Sequence, residues 1–151
     1  MRFRLEGDLD QIVAPPAGEG RRTDELWRST CFEAFFGEEG EPGYCELNLA
    51  PSEDWAAYAF SGYRAGMRLL EVEVLPRIQV WRADDVLQLE AEVTPGVGVL
   101  ASRKVWRVGL AAVIETIDGA RSYWALTHTP GKPDFHIPAA HIGRLHPGEQ
   151  S

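Results

Sequence analysis

Two neighbouring stretches of the chain, residues 31–36 and 44–49, alternate between apolar and polar side chains. A period of two is that of a β-strand with two unlike faces, and the glycine-containing segment between the stretches predicts a turn. If the strands pair as a hairpin with their apolar sets on one face, Glu33 lies opposite Glu46 or Asn48. The pattern therefore predicts one apolar face and one face that carries carboxylates, an amide and aromatic rings.

Similar strand patterns recur along the rest of the chain. They occur at Arg2–Glu6, Asp54–Phe60, Glu71–Ala83, Val86–Val93, Lys104–Ile117 and Ser122–Thr127. Pro76 interrupts the third of these, which implies a bulge or a sheet edge there. The 104–117 stretch is nearly continuously apolar and predicts a central strand, buried on both faces. About eight strands predict an all-β protein, a β-sandwich or jelly roll. Its expected core contains Phe32, Phe36, Leu47, Leu49, Leu89 and Val113.

The composition favours one domain over residues 1–151, with short strands rather than long helices. Apolar residues make up 44% of the chain, and its 10 prolines and 15 glycines indicate many turns. The proline- and glycine-rich segment 14–24 predicts a mobile loop. The Arg2–Glu6 strand starts abruptly at the first methionine, which leaves open whether a further N-terminal edge strand is missing.

The net charge of −8 repels nucleic acid and anionic membrane surfaces. The first residues lack the apolar run of a signal peptide, and nowhere do eighteen apolar residues occur together. We therefore expect a cytoplasmic protein without nucleic-acid or membrane partners. Cys31 and Cys45 are placed on opposite faces of the predicted hairpin, so we expect free thiols.

Four groups of residues resemble a known family. They are Leu26-Trp27-x-x-Thr30-Cys31-Phe32-Glu33-x-Phe35, Glu46-x-Asn48-x-x-Pro51-Ser52-x-x-Trp55-Ala56-Ala57-Tyr58, Gly62-Tyr63-Arg64 and Gly131-Lys132-Pro133-Asp134-Phe135-His136. With these motifs, residues 26–145 resemble the DOMON-like family of bacterial proteins related to type 9 carbohydrate-binding modules. The resemblance implies a jelly-roll-like β-sandwich with a site made of two aromatic rings and a few polar side chains.

The resemblance also implies which residues bind a ligand. In the modules an aromatic residue precedes a glutamate by six positions, and Trp27 and Glu33 have that spacing. The second aromatic arm comes from near the C-terminus, where Phe135 stands in place of the modules' tryptophan. Independently, a pyranose stacks its C–H face on an aromatic ring and binds carboxylates and amides through its hydroxyls. We predict a carbohydrate site at one rim of the sandwich. It comprises Trp27, Glu33, Glu46, Asn48, Arg64, Phe135 and His136.

A structural role is the main alternative for these residues. Trp27 would then close one end of the sandwich, and Glu33 would pair with Arg28 or Arg64. In that case the domain would be an accessory module that binds a partner protein or no ligand, and its signature would be a broad exposed apolar patch.

Haem is a further alternative, because other members of this wider fold family bind it through a methionine and a distant histidine or lysine. Met67 with His136 or Lys132 would be that pair, although a single methionine is more often core filler. His128, His136 and His141 match no tight zinc spacing, so we expect no metal. The primary expectation is a module without a cofactor.

We do not expect an enzyme. The chain has no Gly-x-Ser-x-Gly elbow for a serine nucleophile. Glu33 and Glu46 could form a glycosidase pair, but carboxylates on adjacent strands are more often only a polar face.

Overall fold

The protein is a β-sandwich, as the sequence predicts, in a computed structural model that describes residues 1–94 and 104–146. The described residues form ten strands and three short 3₁₀ turns, with no α-helix among them. The strands are β1 (Arg2–Glu6), β2 (Cys31–Glu38), β3 (Tyr44–Leu49), β4 (Trp55–Phe60), β5 (Arg68–Leu69), β6 (Arg77–Ala83), β7 (Val86–Glu92), β8 (Trp106–Glu115), β9 (Arg121–Ala125) and β10 (Gly143–Leu145). In this part of the chain, no helix is long and apolar enough to cross a bilayer.

The strands form two antiparallel sheets of unequal width. The smaller sheet has the order β1-β7-β6, and the larger has the order β10-β8-β2-β3-β4-β5, with β9 also paired to β8. The long strand predicted to be central, β8, has neighbours on both sides but lies next to the sheet edge. Strands β2 and β3 lie in the middle of the larger sheet. The apolar run of β8 therefore reflects burial on its two faces more than a central position.

The hairpin of β2 and β3 has one of the two predicted registers. Glu33 lies opposite Asn48, and Phe35 lies opposite Glu46. This register confirms that the alternation of apolar side chains specifies the pairing, because a slip of one residue would turn every side chain to the other face. The two cysteines are free, as expected from their opposite faces.

The main core lies between the two sheets. Buried side chains of β2, β3 and β4 meet those of β7 there, and Phe3 of β1 packs on Phe32 with ring centroids 5.1 Å apart. Of the six residues predicted for the core, Phe32, Leu47, Leu49 and Leu89 are buried between the sheets, and Phe36 packs against them partly buried. Val113 is buried on the opposite face of the larger sheet, because alternation along β8 turns it outward.

A second apolar cluster covers this outer face of the larger sheet. It combines side chains of β2, β3, β4 and β8 with Phe135 from the proline-rich segment after β9. The segment returns across the outer face, so β4 is buried along its whole length. The middle of the larger sheet is thus covered on both sides, and polar residues that alternate outward there become buried.

Two loop and edge features complete the fold. The 14–24 segment, predicted to be a mobile loop, makes main-chain hydrogen bonds to the turn before β4, such as Gly18 N to Ser52 O at 2.9 Å. The smaller sheet covers only part of the larger one, and a groove of about 430 Å³ remains between β1 and the inner face of β8 and β9. Trp124 is 61% exposed at this groove.

Candidate functional site

Three polar side chains form the floor of the candidate site on the outer face of β2 and β3. Glu33, Glu46 and Asn48 share this face because each is an even number of positions from Phe35 or Tyr44, which pack in the outer cluster. The exposed fractions of the two glutamates are 4% and 5%, and that of Asn48 is 0%. A carboxylate is rarely buried to this extent without a cation beside it, so the floor is chemically unusual.

The Asn48 side-chain amide orients Glu46. Its Nδ2 donates to Glu46 Oε1 at 2.9 Å, while its own Oδ1 is buried without a hydrogen-bond partner in the described structure. The second carboxylate oxygen of Glu46 lies 3.8 Å from His136 Nε2, which is too long for a hydrogen bond. Burial raises the pKa of Glu46, and the Asn48 hydrogen bond opposes that rise.

Glu33 lies beside Glu46 with no hydrogen bond from any described residue. Burial, followed by repulsion from the Glu46 carboxylate, raises the pKa of Glu33 to about 8, although the positive charge of Arg64 acts in the opposite direction. Two carboxylates in one poorly solvated place ionise one after the other, because the second negative charge is opposed by the first. Near pH 7 the pair therefore holds a proton on the Glu33 side.

Tyr44 and His136 form the wall beside this floor. The Tyr44 hydroxyl accepts a hydrogen bond from the Arg64 main-chain N at 3.2 Å and lies 2.8 Å from His136 Nδ1. The hydroxyl can therefore donate to Nδ1, which leaves the proton of a neutral imidazole on Nε2, facing Glu46. Burial, with a smaller contribution from the Arg64 charge, lowers the pKa of His136 to about 4. The ring is neutral at pH 7, so its contact with Glu46 is not an ion pair.

Asp134 joins the wall to the loop after β4. Its carboxylate accepts from Arg64 Nη2 at 3.0 Å, from the His136 main-chain N at 3.0 Å and from the Tyr63 hydroxyl. Burial raises the pKa of Asp134, but the hydrogen bonds from Tyr63 and Arg64 outweigh it and keep the pKa below the usual value. The Arg64 guanidinium is thus engaged by Asp134, about half exposed, and is not hydrogen-bonded to either buried glutamate.

On the other side, the 3₁₀ turn Leu26–Arg28 lies against β2 and β3. Trp27 in this turn is 47% exposed, and the Arg28 guanidinium lies 5.2 Å from the centroid of its ring. The Tyr58 hydroxyl donates to Asp24 at 2.7 Å and so attaches the chain before the turn to β4. An indole ring with about half of its surface free is available for stacking.

The structure brings most of the predicted site residues to one area, on the outer face of the larger sheet rather than at a rim. Contacts link Glu46, Asn48, Arg64 and His136, and Glu33 lies beside Glu46. The predicted structural pairing of Glu33 with Arg28 or Arg64 through an ion pair does not occur. Arg28 pairs with Glu25 at 2.7 Å, and Arg64 pairs with Asp134.

Phe135 occupies a different position from that of a stacking arm. Its side chain is 9% exposed, its ring lies 6.3 Å from that of Tyr123, and its carbonyl oxygen lies 2.9 Å from His141 Nε2. The ring is part of the outer apolar cluster. Phe135 therefore positions His136 in the wall and does not present a second aromatic platform to solvent.

The residues of the haem alternative lie in different surroundings. The Met67 side chain is 63% exposed, Lys132 is exposed, and His136 contacts Tyr44 through one ring nitrogen. Within residues 1–94 and 104–146, no group of three or more His, Cys, Asp or Glu side chains is arranged to hold a metal ion.

Tyr44, Tyr58 and Asp134 belong to the site but are absent from the set predicted as ligand-binding. Tyr44 could have been found, because it shares the alternate positions of Glu46 and Asn48 along β3. The partners of Tyr58 and Asp134 lie 34 and 70 residues away in the chain, so no local pattern identifies them.

No protein-family model and no curated protein matches this chain. The fold is similar to that of a crystal structure from Bacteroides uniformis, of a protein described provisionally as carbohydrate-binding. The TM-score is 0.65, the sequence identity is 15%, and the similarity covers 96% of this chain and 71% of the other. At that identity the similarity establishes the β-sandwich fold and no shared site.

Proposed function

We propose that this protein is a binding module for a small carbohydrate and that it binds the sugar on the outer face of the larger sheet. Glu33, Glu46 and Asn48 would bind ligand hydrogen-bonding groups, and Trp27 would stack on the apolar face of a sugar ring. Arg64 and His136 would border the site. The observation that carries the proposal is the buried floor, where two carboxyl groups and an amide oxygen retain hydrogen-bonding capacity that the described protein does not use.

Carbohydrate chemistry fits this arrangement. Sugar hydroxyls on neighbouring ring carbons are spaced for carboxylate and amide groups that are fixed on adjacent strands, and an exposed indole complements the ring's C–H face. The fold similarity to a protein described as carbohydrate-binding adds support. The resemblance to type 9 carbohydrate-binding modules adds the six-residue spacing of Trp27 and Glu33. Because Phe135 is buried, we propose stacking on one side of the sugar only.

The other candidate functions have less support in the geometry. A haem ligated by Met67 and His136 would have to bind the other ring nitrogen of His136, Nε2, which faces the buried Glu46 carboxylate at 3.8 Å. A partner-binding accessory domain would account for the apolar groove beside Trp124, but not for the buried carboxylates. We therefore place the function at the polar floor.

The test is a binding screen of monosaccharides and glycans with the whole chain, run beside a haem titration. Saturable binding of a sugar and the absence of a haem absorbance band are the expected results. Trp27→Ala and Glu33→Gln should together weaken binding by about 2 to 5 kcal/mol, through lost stacking and an altered hydrogen bond at the floor.

Trp81→Ala is the matched control, because Trp81 is also 47% exposed but lies on β6 of the smaller sheet. It should leave the binding isotherm unchanged. A sugar isotherm that Trp27→Ala does not alter would contradict the proposed site, and tight stoichiometric haem binding would replace the proposal with the haem alternative.

A further inference from the structure

Most hydrogen-bond donors around the floor are already engaged, and the exception is the Nε2–H of His136, which faces Glu46 at 3.8 Å. Asn48 Nδ2 donates to Glu46, the Arg64 guanidinium to Asp134 and the Tyr58 hydroxyl to Asp24. The Tyr44 hydroxyl is 2.8 Å from His136 Nδ1, to which it can donate. What remains unused at the floor accepts hydrogen bonds or can do so after losing a proton: the Glu33 carboxyl, one oxygen of Glu46, and Asn48 Oδ1.

The unpaired Asn48 oxygen is independent evidence for a ligand that donates. It is fully enclosed, and a buried acceptor without a donor is unfavourable. No donor in the described structure is hydrogen-bonded to this oxygen. Glu33 lies opposite Asn48 in the hairpin, and Glu46 accepts from the Asn48 amide, so a ligand group that reaches this place meets three acceptors.

We infer that the ligand is an amino sugar and that its protonated amine binds between Glu33, Glu46 and Asn48 Oδ1. This inference rests on the proposed carbohydrate site. An ammonium group has three donors and no acceptor, whereas a hydroxyl has one donor and two acceptor lone pairs. The ammonium therefore uses the three acceptors without leaving a buried lone pair of its own unpaired. It also supplies the positive charge that two buried carboxylates lack.

The charges around the floor favour a cation over an anion. In the described part of the chain, three groups interact electrostatically with Glu33. They are Glu46 on β3, Arg64 in the loop after β4, and the Cys31 thiol on the same strand as Glu33. His136 is neutral, and the charge of Arg64 is compensated by Asp134. A uronic acid would bring a third carboxylate to this group and should bind least well.

Binding of the amine is coupled to release of a proton. Before binding, the Glu33 carboxyl holds a proton; when R–NH₃⁺ enters, the acid ionises, the carboxylate accepts from the ammonium, and one H⁺ passes to solvent. Because the pKa of Glu33 is raised to about 8, the release is close to one proton at pH 6. The affinity for the amine should then rise toward tenfold per pH unit between pH 5.5 and 7. His136, with its pKa of about 4, stays neutral in that range.

The experiment is isothermal titration of the whole chain with glucosamine, galactosamine and mannosamine, their parent hexoses, N-acetylglucosamine and glucuronate. We expect at least one amino sugar to bind tenfold or more tightly than its parent hexose and its N-acetyl form, with glucuronate weakest. Titrations in two buffers of different ionisation enthalpy should show release of about one proton for the amino sugar and none for the hexose.

Glu33→Gln should remove both the proton release and the preference for the amine, and circular dichroism would check that this variant is folded. If the variant does not fold, proton release by the unmodified protein decides the question. Equal affinity for an amino sugar and its parent hexose, or binding without proton release, would overturn the inference and leave the proposed function intact. Binding of none of these sugars would overturn both.

Discussion

Tyr44 and His136 are 92 positions apart in the chain, yet the Tyr44 hydroxyl lies 2.8 Å from His136 Nδ1. Tyr44 is on the second strand of the larger sheet's central hairpin, and His136 is in the proline-rich segment that crosses its outer face. The same hydroxyl accepts from the Arg64 main-chain N. One oxygen atom therefore joins three separate parts of the chain at the border of the candidate site.

Tyr44→Phe should destabilise the protein by about 1 to 2 kcal/mol, measured by urea denaturation. The ring and its stacking on Phe60 at 4.8 Å are kept, while two partly buried hydrogen bonds are lost. The loss should also change the imidazole tautomer of His136, visible in its ¹⁵N chemical shifts. Tyr58→Phe is the control, because it removes a hydroxyl bonded to Asp24. It should leave the His136 shifts alone. Unchanged His136 shifts in Tyr44→Phe would contradict the assigned contact.

Glu33→Gln should change how stability depends on pH. The pKa of Glu33 is raised from 4.5 to about 8 in the folded protein, so the folded state binds more protons than the unfolded state between these values. The contribution of Glu33 to stability is fully present below pH 4.5 and is lost as the pH rises toward 8. Glutamine cannot ionise, so Glu33→Gln should be the more stable protein at pH 8.5, by a few kcal/mol.

The clearest window for this measurement is pH 6.5 to 8. The pKa of His136 is lowered from 6.5 to about 4. Its contribution to stability is therefore fully present above pH 6.5 and is lost only as the pH falls toward about 4. Chemical denaturation across pH 6.5 to 8 should show a decline in the unmodified protein that is shallower in Glu33→Gln. Parallel profiles for the two proteins would show that Glu33 does not titrate in this range.

Gly109→Ala should destabilise the packing of residues 135–141 on the outer face of the larger sheet by about 1 to 3 kcal/mol. A Cβ at this position of β8 would lie 2.5 Å from His141 Cδ2. His141 cannot move aside cheaply, since its ring is buried, stacks on Phe35 at 5.3 Å and contacts the Phe135 carbonyl oxygen. The displacement should appear as faster amide hydrogen exchange in residues 135–141.

Gly62→Ala is the control for this substitution, because a Cβ there meets nothing within 4 Å and the backbone does not require glycine. Its denaturation midpoint should stay close to that of the unmodified protein. Equal effects of the two substitutions would show that contact with His141 is not what matters at position 109.

The sequence by itself determined the central hairpin and the face on which its polar residues lie. Register and alternation are local properties, because a strand turns successive side chains to opposite faces and a slip of one residue would bury the wrong set. For that reason Glu33 opposite Asn48 was one of only two predicted pairings. The same alternation predicted most of the other strands, since one face of strands such as β7 and β8 packs in the core.

Only the tertiary structure decided what this polar face became. The segment around Phe135 folds back over the sheet and brings His136 to Tyr44, and burial of Glu33 on this face of the sheet raises its pKa. It also buries the Phe135 ring that the sequence indicated as a stacking arm. None of this follows from local pattern, because it depends on contacts between residues that are far apart in the chain and on the water that those contacts exclude.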